Sequence, residues 1–199
     1  MTFTKIYLSF IWLSVLLGVT LAASNATTIY SLLQSQKDYT FTVQSMELTN
    51  LTSIYNNTFL NYTFLASNDT AWENSSANAT GALSAAKQNV TGAIDFLGRL
   101  LVASTVNTTV EFSSLSSGTT GVVSLIGLPL NFTKNSTGDS VEGDPVISPD
   151  VAAGNSVVQF LEFLLVPPAP PTTTAVPTAA ASAVPTSVAT AAPTSAIIP

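Results

Sequence analysis

The core of the fold is predicted by one segment, Tyr62-Thr63-Phe64-Leu65-Ala66-Ser67-Asn68-Asp69-Thr70-Ala71-Trp72. Its first half is a short aromatic and aliphatic run, which predicts a mostly buried strand. Ser67-Asn68-Asp69 then interrupts this run with short polar side chains that can accept hydrogen bonds from the free N–H groups at a helix start. The segment therefore predicts a strand that leads into a capped helix, with Trp72 as the packing anchor of the domain.

Before this segment, apolar residues recur at helical spacing. Residues 27–47 predict two helices separated by Lys37-Asp38, and either Thr27 or Thr28 can cap the first of them. Residues 48–55 add a third short helical piece. The N-terminal part of the domain is therefore predicted to be helical.

After Trp72, the pattern predicts helix first and strand afterwards. A polar loop is expected through Gly81, followed by one helix over about 82–103. From residue 107 the apolar period becomes two, and the predicted strands lie at 109–112, 122–126, 128–132, 141 and 146–147. The apolar run 157–166 predicts a central strand that ends at Pro167. Helices followed by strands with short connections indicate an α+β domain.

The N-terminal residues have the composition of a secretory signal peptide. Residues 6–22 are almost entirely apolar, follow Lys5 and end in small residues. We expect a signal peptide over 1–22, with cleavage after Ala22 or Ala23. The alternative is a membrane anchor, although this run is at the lower limit of the length needed to span a bilayer. No other stretch is long and apolar enough to span, so we expect no transmembrane segment after the signal peptide is removed.

The C-terminal segment 168–199 has a different composition from the domain. It contains no charged or aromatic residue and consists mainly of Pro, Thr, Ser, Ala and Val in a degenerate repeat of eight residues. Such a segment buries too little apolar surface to offset its ordering entropy, so we predict a disordered tail. Ser and Thr interspersed with Pro are typical of an O-glycosylated stalk, and the alternative is an unmodified linker. The terminal residues lack the hydrophobic run of a lipid-anchor signal, so we expect no such anchor.

Asparagine is almost confined to N-glycosylation sequons. Eleven of the thirteen asparagines begin an Asn-x-Ser/Thr triplet. The predicted N-glycosylation sites are Asn25, Asn50, Asn56, Asn61, Asn68, Asn74, Asn78, Asn89, Asn107, Asn131 and Asn135. Because each N-glycan lies on the protein surface, this pattern predicts a heavily glycosylated, secreted protein. At Asn68 the side chain could instead cap the following helix.

Composition excludes several classes of site. The chain has no cysteine and no histidine, which removes Cys and His nucleophiles, His-based triads and the common zinc sites. Without Lys5, four basic and eleven acidic residues give a net charge of −7. This acidic balance does not fit a nucleic-acid-binding surface. No residue pattern indicates a cofactor, and an extracellular domain without disulfides must depend on its apolar core.

Two groups of acidic residues are candidates for chemical sites. Asp69 and Glu73 resemble the carboxylate pair of glycoside hydrolysis, but their spacing at a helix start is better explained by capping and the helix dipole. A second group consists of Asp139, Glu142, Asp144 and Asp150. It could bind calcium weakly, yet its spacing matches no calcium-loop pattern, and solvated loop positions are the simpler interpretation. We therefore predict no catalytic residue, no metal site and no enzyme.

The segment 62–72 resembles the first signature of the fasciclin domain. A second resemblance follows about 90 residues later, in Asn155-Ser156-Val157-Val158-Gln159-Phe160-Leu161-Glu162-Phe163-Leu164-Leu165-Val166-Pro167. Four positions depart from the usual signatures: Ser67 replaces a proline, Ser156 a glycine, Gln159 a histidine and Glu162 an aspartate. The tyrosine–histidine pair of many members is absent around Leu100-Leu101-Val102, so the integrin binding linked to that pair is not carried over.

The resemblance implies one fasciclin-like domain over residues 27–167, with N-terminal helices packed on a β-sandwich or twisted sheet. It also implies a secreted glycoprotein of the cell surface or cell wall that mediates adhesion. The expected partners are extracellular matrix, cell-wall polysaccharide or cell-surface proteins. Two alternatives belong to other classes: an extracellular carrier of an apolar small molecule or lipid, and a hydrolase.

Overall fold

The computed structural model describes residues 27–168. The predicted signal peptide, the sequon at Asn25 and all but the first residue of the predicted tail lie outside the described residues. Within 27–168, every helix is too short or too polar to cross a bilayer.

Apart from β1, which lies between α3 and α4, the described chain contains helices first and strands afterwards, as the sequence predicts. The helices are α1 Ile29–Gln34, α2 Thr40–Leu48, α3 Thr52–Tyr55, α4 Asp69–Glu73, α5 Ala79–Ala86 and α6 Thr91–Ala103, with a 3-10 turn at Phe112–Ser114. The strands are β1 Thr63–Ser67, β2 Thr105–Val106, β3 Gly118–Val123, β4 Pro129–Asn135, β5 Gly138–Val141, β6 Asp144–Ala153 and β7 Ser156–Leu161. Thr28 caps α1, since its side chain accepts a hydrogen bond from the N–H of Ser31.

The strands form one mixed sheet in the order β2-β1-β7-β6-β5-β4-β3. Only β1 and β7 are parallel, with Phe64 opposite Val158, and every other neighbouring pair is antiparallel. The two ends of the sheet also meet, because the N–H of Leu125, just after β3, donates to the carbonyl of Thr105 in β2 at 2.8 Å. The two signature segments are therefore adjacent strands in the interior of the sheet.

The two signature strands, β1 and β7, are buried on both faces of the sheet. Every residue of β1 and β7 is buried, which confirms the predicted buried strands and explains their nearly continuous apolar sequence. On one face, Tyr55 packs edge-on against Phe64 with ring centroids 5.2 Å apart. On the other face, Leu65 and Leu161 share a core cluster with Phe112. The α+β class and the helix-on-sheet packing are as predicted.

The predicted loop through Gly81 and single helix over 82–103 are wrong. The structure has two helices, α5 and α6, and α5 already begins at Ala79. The break between them is at Asn89, which adopts a left-handed conformation with φ of 60°. Its N–H donates to Ala86 and the N–H of Val90 donates to Ala85, the pattern that closes helix C-termini. An apolar stripe that continues across a break does not reveal such a turn.

The predicted strand at 109–112 is also wrong. Val110 and Phe112 are buried in alternation, as the sequence pattern requires. Their backbone N–H groups, however, donate to side chains rather than to a strand: Val110 to Thr63 Oγ1 at 2.7 Å and Phe112 to Asp150 Oδ1 at 2.7 Å. The alternating burial of residues 109–112 thus arises without backbone pairing to a neighbouring strand. The final strand also ends earlier than predicted, at Leu161 rather than Pro167.

Candidate functional site

The junction between β1 and α4 carries the first candidate residues. Asn68 caps α4, because its Oδ1 accepts from the N–H of Ala71 at 2.8 Å. The Asp69 carboxylate instead caps the start of α2, where it accepts from the Thr40 hydroxyl at 2.6 Å and from the Phe41 N–H at 2.9 Å. The capping prediction is confirmed for Asn68, whereas Asp69 serves a different helix from the one expected.

Trp72 is part of the core. Its side chain is 2 % exposed, and its indole N–H donates to Thr42 Oγ1 at 3.1 Å. The Thr42 hydroxyl in turn donates to the carbonyl of Ser67 at 2.9 Å. These bonds connect α2, the end of β1 and α4. Trp72 and Asp69 therefore both position helices.

Gln159 occupies the position at which the resembled signature has histidine. It is fully buried, and its amide is satisfied at both ends. Nε2 donates to the Val110 carbonyl and to Asp150 Oδ1, each at 2.9 Å, while Oε1 accepts from the Asp150 N–H at 2.8 Å. The substitution of histidine by glutamine thus leaves a non-titrating group that ties β7 to β6 and to the segment before the 3-10 turn.

Asp150 completes this network. Its carboxylate also accepts from the N–H groups of Phe112 and Ser113, at 2.7 and 2.8 Å. Burial by itself would raise the pKa of Asp150, but the hydrogen bonds from Gln159 and from the two backbone groups outweigh it and lower the pKa below its ordinary value of 3.8. Local sequence patterns did not single out this pairing. The one indication was the departure from the signature at Gln159.

The remaining acidic residues do not converge. Glu142 accepts a hydrogen bond from the N–H of Asn131, and Asp150 is engaged as described above. Nowhere in residues 27–168 do three acidic side chains come together in a group that could hold a metal ion. The calcium interpretation therefore receives no support.

Burial raises the pKa of Tyr39 and of Tyr55 to about 12, so both phenols stay protonated and neither acts as a base near neutral pH.

One open cleft with an apolar lining lies beside α6. Its volume is about 480 Å³. The residues that line it are Thr49, Leu51, Ile94, Asp95, Gly98, Arg99, Val102 and Ile126. Aliphatic side chains from α6, from the turn after α2 and from the connection after β3 form its walls. A cleft of this kind can accept an apolar group, which bears on the carrier alternative.

The sequon asparagines lie at the surface. Of the ten within residues 27–168, nine are exposed and Asn68 is half-buried. Exposure alone does not single them out, because the non-sequon residues Asn57 and Asn155 are exposed as well. Three sequon asparagines also adopt left-handed φ values: Asn50 at 57° and Asn89 at 60° close helix C-termini, and Asn78 at 51° precedes α5. N-glycosylation at these sites stays a prediction.

The comparisons with known proteins identify one family and one similar fold. Residues 25–167 match the family model described as the Fasciclin domain. No curated protein matches the chain. Among solved structures, the chain is similar to a FAS1 domain pair from the insect cell adhesion molecule fasciclin I, with a TM-score of 0.58 and 16% identity over 71% of this chain. The chain spans about half of that one, 51% of its length.

Proposed function

The chain belongs to the fasciclin domain family, and on this basis we propose that it is a secreted cell-surface or cell-wall glycoprotein that mediates adhesion through this domain. The family match over 25–167 is the observation that carries the proposal, since it spans nearly the whole described fold. The similar solved structure comes from a protein described as a cell adhesion molecule. The proposed partners are extracellular matrix, cell-wall polysaccharide or other cell-surface proteins.

The proposed organisation has three parts. Residues 1–22 direct secretion and are removed, residues 27–167 form the adhesive domain, and residues 168–199 form an O-glycosylated stalk. A stalk rich in proline would hold the domain away from the surface that carries it. Glycans on the exposed sequons would supply the solubility that the low charged fraction of 8% does not.

The proposal includes no catalytic activity. Asp69, the strongest catalytic candidate in the sequence, has both carboxylate oxygens engaged by the start of α2. A general acid or base must instead reach the proton of a bound substrate. The hydrolase alternative would be supported only if the chain acted on a panel of glycosides or esters and Asp69→Asn abolished that activity.

A display experiment tests the adhesive role. Cells that display the full chain are compared with cells of the same line that do not, for aggregation and for attachment to matrix protein and to cell-wall polysaccharide. We expect the displaying cells to aggregate or attach more, and an excess of the soluble full chain to reverse the effect. Unchanged aggregation and attachment on every substrate would refute the proposed function.

The cleft beside α6 favours a second candidate, a carrier of an apolar small molecule. Gly98 lines this cleft, and a Cβ built there meets only Thr49 Cγ2 at 3.8 Å, so a larger side chain can enter the cleft without backbone strain. Gly98→Leu should therefore displace a bound apolar compound. Gly92→Leu is the matched control in the same helix, because nothing lies within 4 Å of its added Cβ. Native mass spectrometry of the wild type without any co-purified compound would exclude the carrier.

A further inference from the structure

Phe59 is the most exposed of the large apolar side chains within residues 27–168, with 83 % of its surface accessible. It lies in the loop between α3 and β1, two residues before Asn61, which begins the sequon Asn61-Tyr62-Thr63. Asn61 is itself exposed. An aromatic ring left in water loses the free energy that burial would give, so a surface group that covers this ring would stabilise the fold.

The loop holds Phe59 in a defined backbone position. The Phe59 N–H donates to Asn57 Oδ1 at 2.9 Å, and the preceding carbonyl, of Thr58, accepts from the N–H of Asn155 at 3.3 Å. The Thr58 backbone lies close to the β6–β7 turn. A Cβ added to Gly154 would meet the Thr58 oxygen at 3.1 Å.

Asn61 is fixed by the residues on either side of it. The Ser156 hydroxyl donates to the Leu60 carbonyl at 2.7 Å and accepts from the Tyr62 N–H at 3.1 Å. One side chain of β7 thus clamps the backbone before and after Asn61. The backbone at Phe59 and Asn61 is therefore held by the fold, so that only their side chains have to be ordered when a group binds across them.

We propose that the ring of Phe59 is the stacking platform for the first sugar of an N-glycan on Asn61. This inference rests on the proposed function, in which the chain is an exported glycoprotein. Attachment forms a bond from Asn61 Nδ2 to the anomeric carbon of an oligosaccharide carried on a lipid pyrophosphate. The bond from that carbon to the pyrophosphate oxygen breaks, the lipid pyrophosphate leaves with the electron pair, and Nδ2 loses one proton. The C–H face of the sugar then lies against the electron-rich face of the ring.

A second sequon provides an internal contrast. Trp72 stands two residues before Asn74, so its sequence spacing is the same as that of Phe59 and Asn61. Trp72, however, is 2 % exposed and its ring is enclosed by the core. Sequence spacing alone would assign a platform to both sites, whereas the fold leaves only the Phe59 ring available to a sugar.

A double-mutant cycle on the full chain, secreted from a glycosylating eukaryotic host, tests the platform. Glycopeptide mass spectrometry first measures the occupancy of Asn61, and thermal unfolding is then compared for wild type, Phe59→Ala, Asn61→Gln and the double variant. We expect Phe59→Ala to lower Tm by about 2–4 °C when Asn61 carries its glycan. In the Asn61→Gln background the same change should lower Tm by less than about 1 °C, because an exposed side chain with no partner contributes little.

Two control variants make the cycle specific. Asn131→Gln removes an exposed sequon on β4, a strand that is not adjacent to β1 in the sheet, and should leave the effect of Phe59→Ala unchanged. Phe59→Trp keeps an aromatic face, so its Tm should still depend on the Asn61 glycan. Phe59→Leu keeps apolar character without a ring, so its Tm should lose this coupling to the glycan. Coupling that survives in Phe59→Leu would overturn the stacking proposal.

The outcomes separate this inference from the proposed function. If other sequons are filled and Asn61 is empty, or if Phe59→Ala has equal effects with and without the Asn61 glycan, the platform is refuted and the glycoprotein stands. If no sequon of the secreted chain carries a glycan, both proposals fail.

Discussion

Gln159 and Asp150 hold each other through both ends of the glutamine amide. Gln159 Nε2 donates to Asp150 Oδ1 at 2.9 Å, and Gln159 Oε1 accepts from the Asp150 N–H at 2.8 Å. The pairing of β6 with β7 shifts register between Ser148 and Val151, and Asp150 lies in that irregularity with a left-handed φ of 59°. The amide of Gln159 therefore takes the place of the ladder bonds that the irregularity removes.

Removal of the Gln159 side-chain amide should lower the free energy of unfolding. Gln159→Met is similar in length but makes none of the hydrogen bonds, so the Asp150 N–H and the Val110 carbonyl would lose their partners in the interior. We expect the free energy of unfolding to fall by about 2–4 kcal/mol, measured by urea denaturation. Gln88→Met, at an exposed position after α5, is the control and should have little effect. An unchanged midpoint in Gln159→Met would show that these bonds contribute no net stability.

The lowered pKa of Asp150 makes stability depend on acid. A carboxyl group whose pKa is lower in the folded than in the unfolded state stabilises the fold above its unfolded pKa, and this contribution is lost as pH falls from there through the folded pKa. We therefore expect wild type to lose Tm more steeply than Asp150→Asn below the ordinary value of 3.8. Thermal unfolding of both proteins from neutral to strongly acidic pH measures the difference. Parallel curves would mean that Asp150 is not the titrating group.

Removing the Asp69 carboxylate should weaken α2 rather than α4. Asp69→Ala frees the N–H groups of Thr40 and Phe41 at the start of α2, and the loss of such a cap costs about 1 kcal/mol. The substitution keeps the sequon at Asn68 intact. Glu73→Ala is the matched control, because Glu73 is exposed in the same short helix. Hydrogen exchange should show faster opening of α2 in Asp69→Ala alone, and equal exchange in both variants would contradict this assignment.

Asn50 allows the conformational role of a sequon asparagine to be separated from its glycan. Asn50→Gln removes the sequon and places glutamine in the left-handed region, which costs about 1–2 kcal/mol. Asn50→Gly also removes the sequon but accepts this conformation. In protein made without glycosylation, we expect Asn50→Gln to be less stable than Asn50→Gly in thermal unfolding. Asn107 lacks a left-handed φ, so Asn107→Gln should be no less stable than Asn107→Gly. A similar loss of stability in Asn107→Gln would contradict the conformational explanation.

Much of the fold was accessible from local patterns. The buried strand at 63–67, the helix that follows it and the short N-terminal helices were predicted because each depends on apolar periodicity and capping within a few residues. The break at Asn89 escaped prediction because the apolar stripe continues across it. The absence of a strand at 109–112 escaped because periodicity reports which side chains are buried and not what the backbone bonds to.

The candidate site residues divide in the same way. Local sequence specified that Asn68 could cap its own helix, and it exposed Gln159 as a departure from the family signature. Only the tertiary structure assigned Asp69 to α2, Asp150 to Gln159 and an exposed ring to Phe59 rather than to Trp72. The physical reason is that a capping bond within one helix start is formed by neighbours in the chain. A side chain that satisfies a distant backbone donor, or stays outside the core, does so only because the packed sheet and helices bring it there.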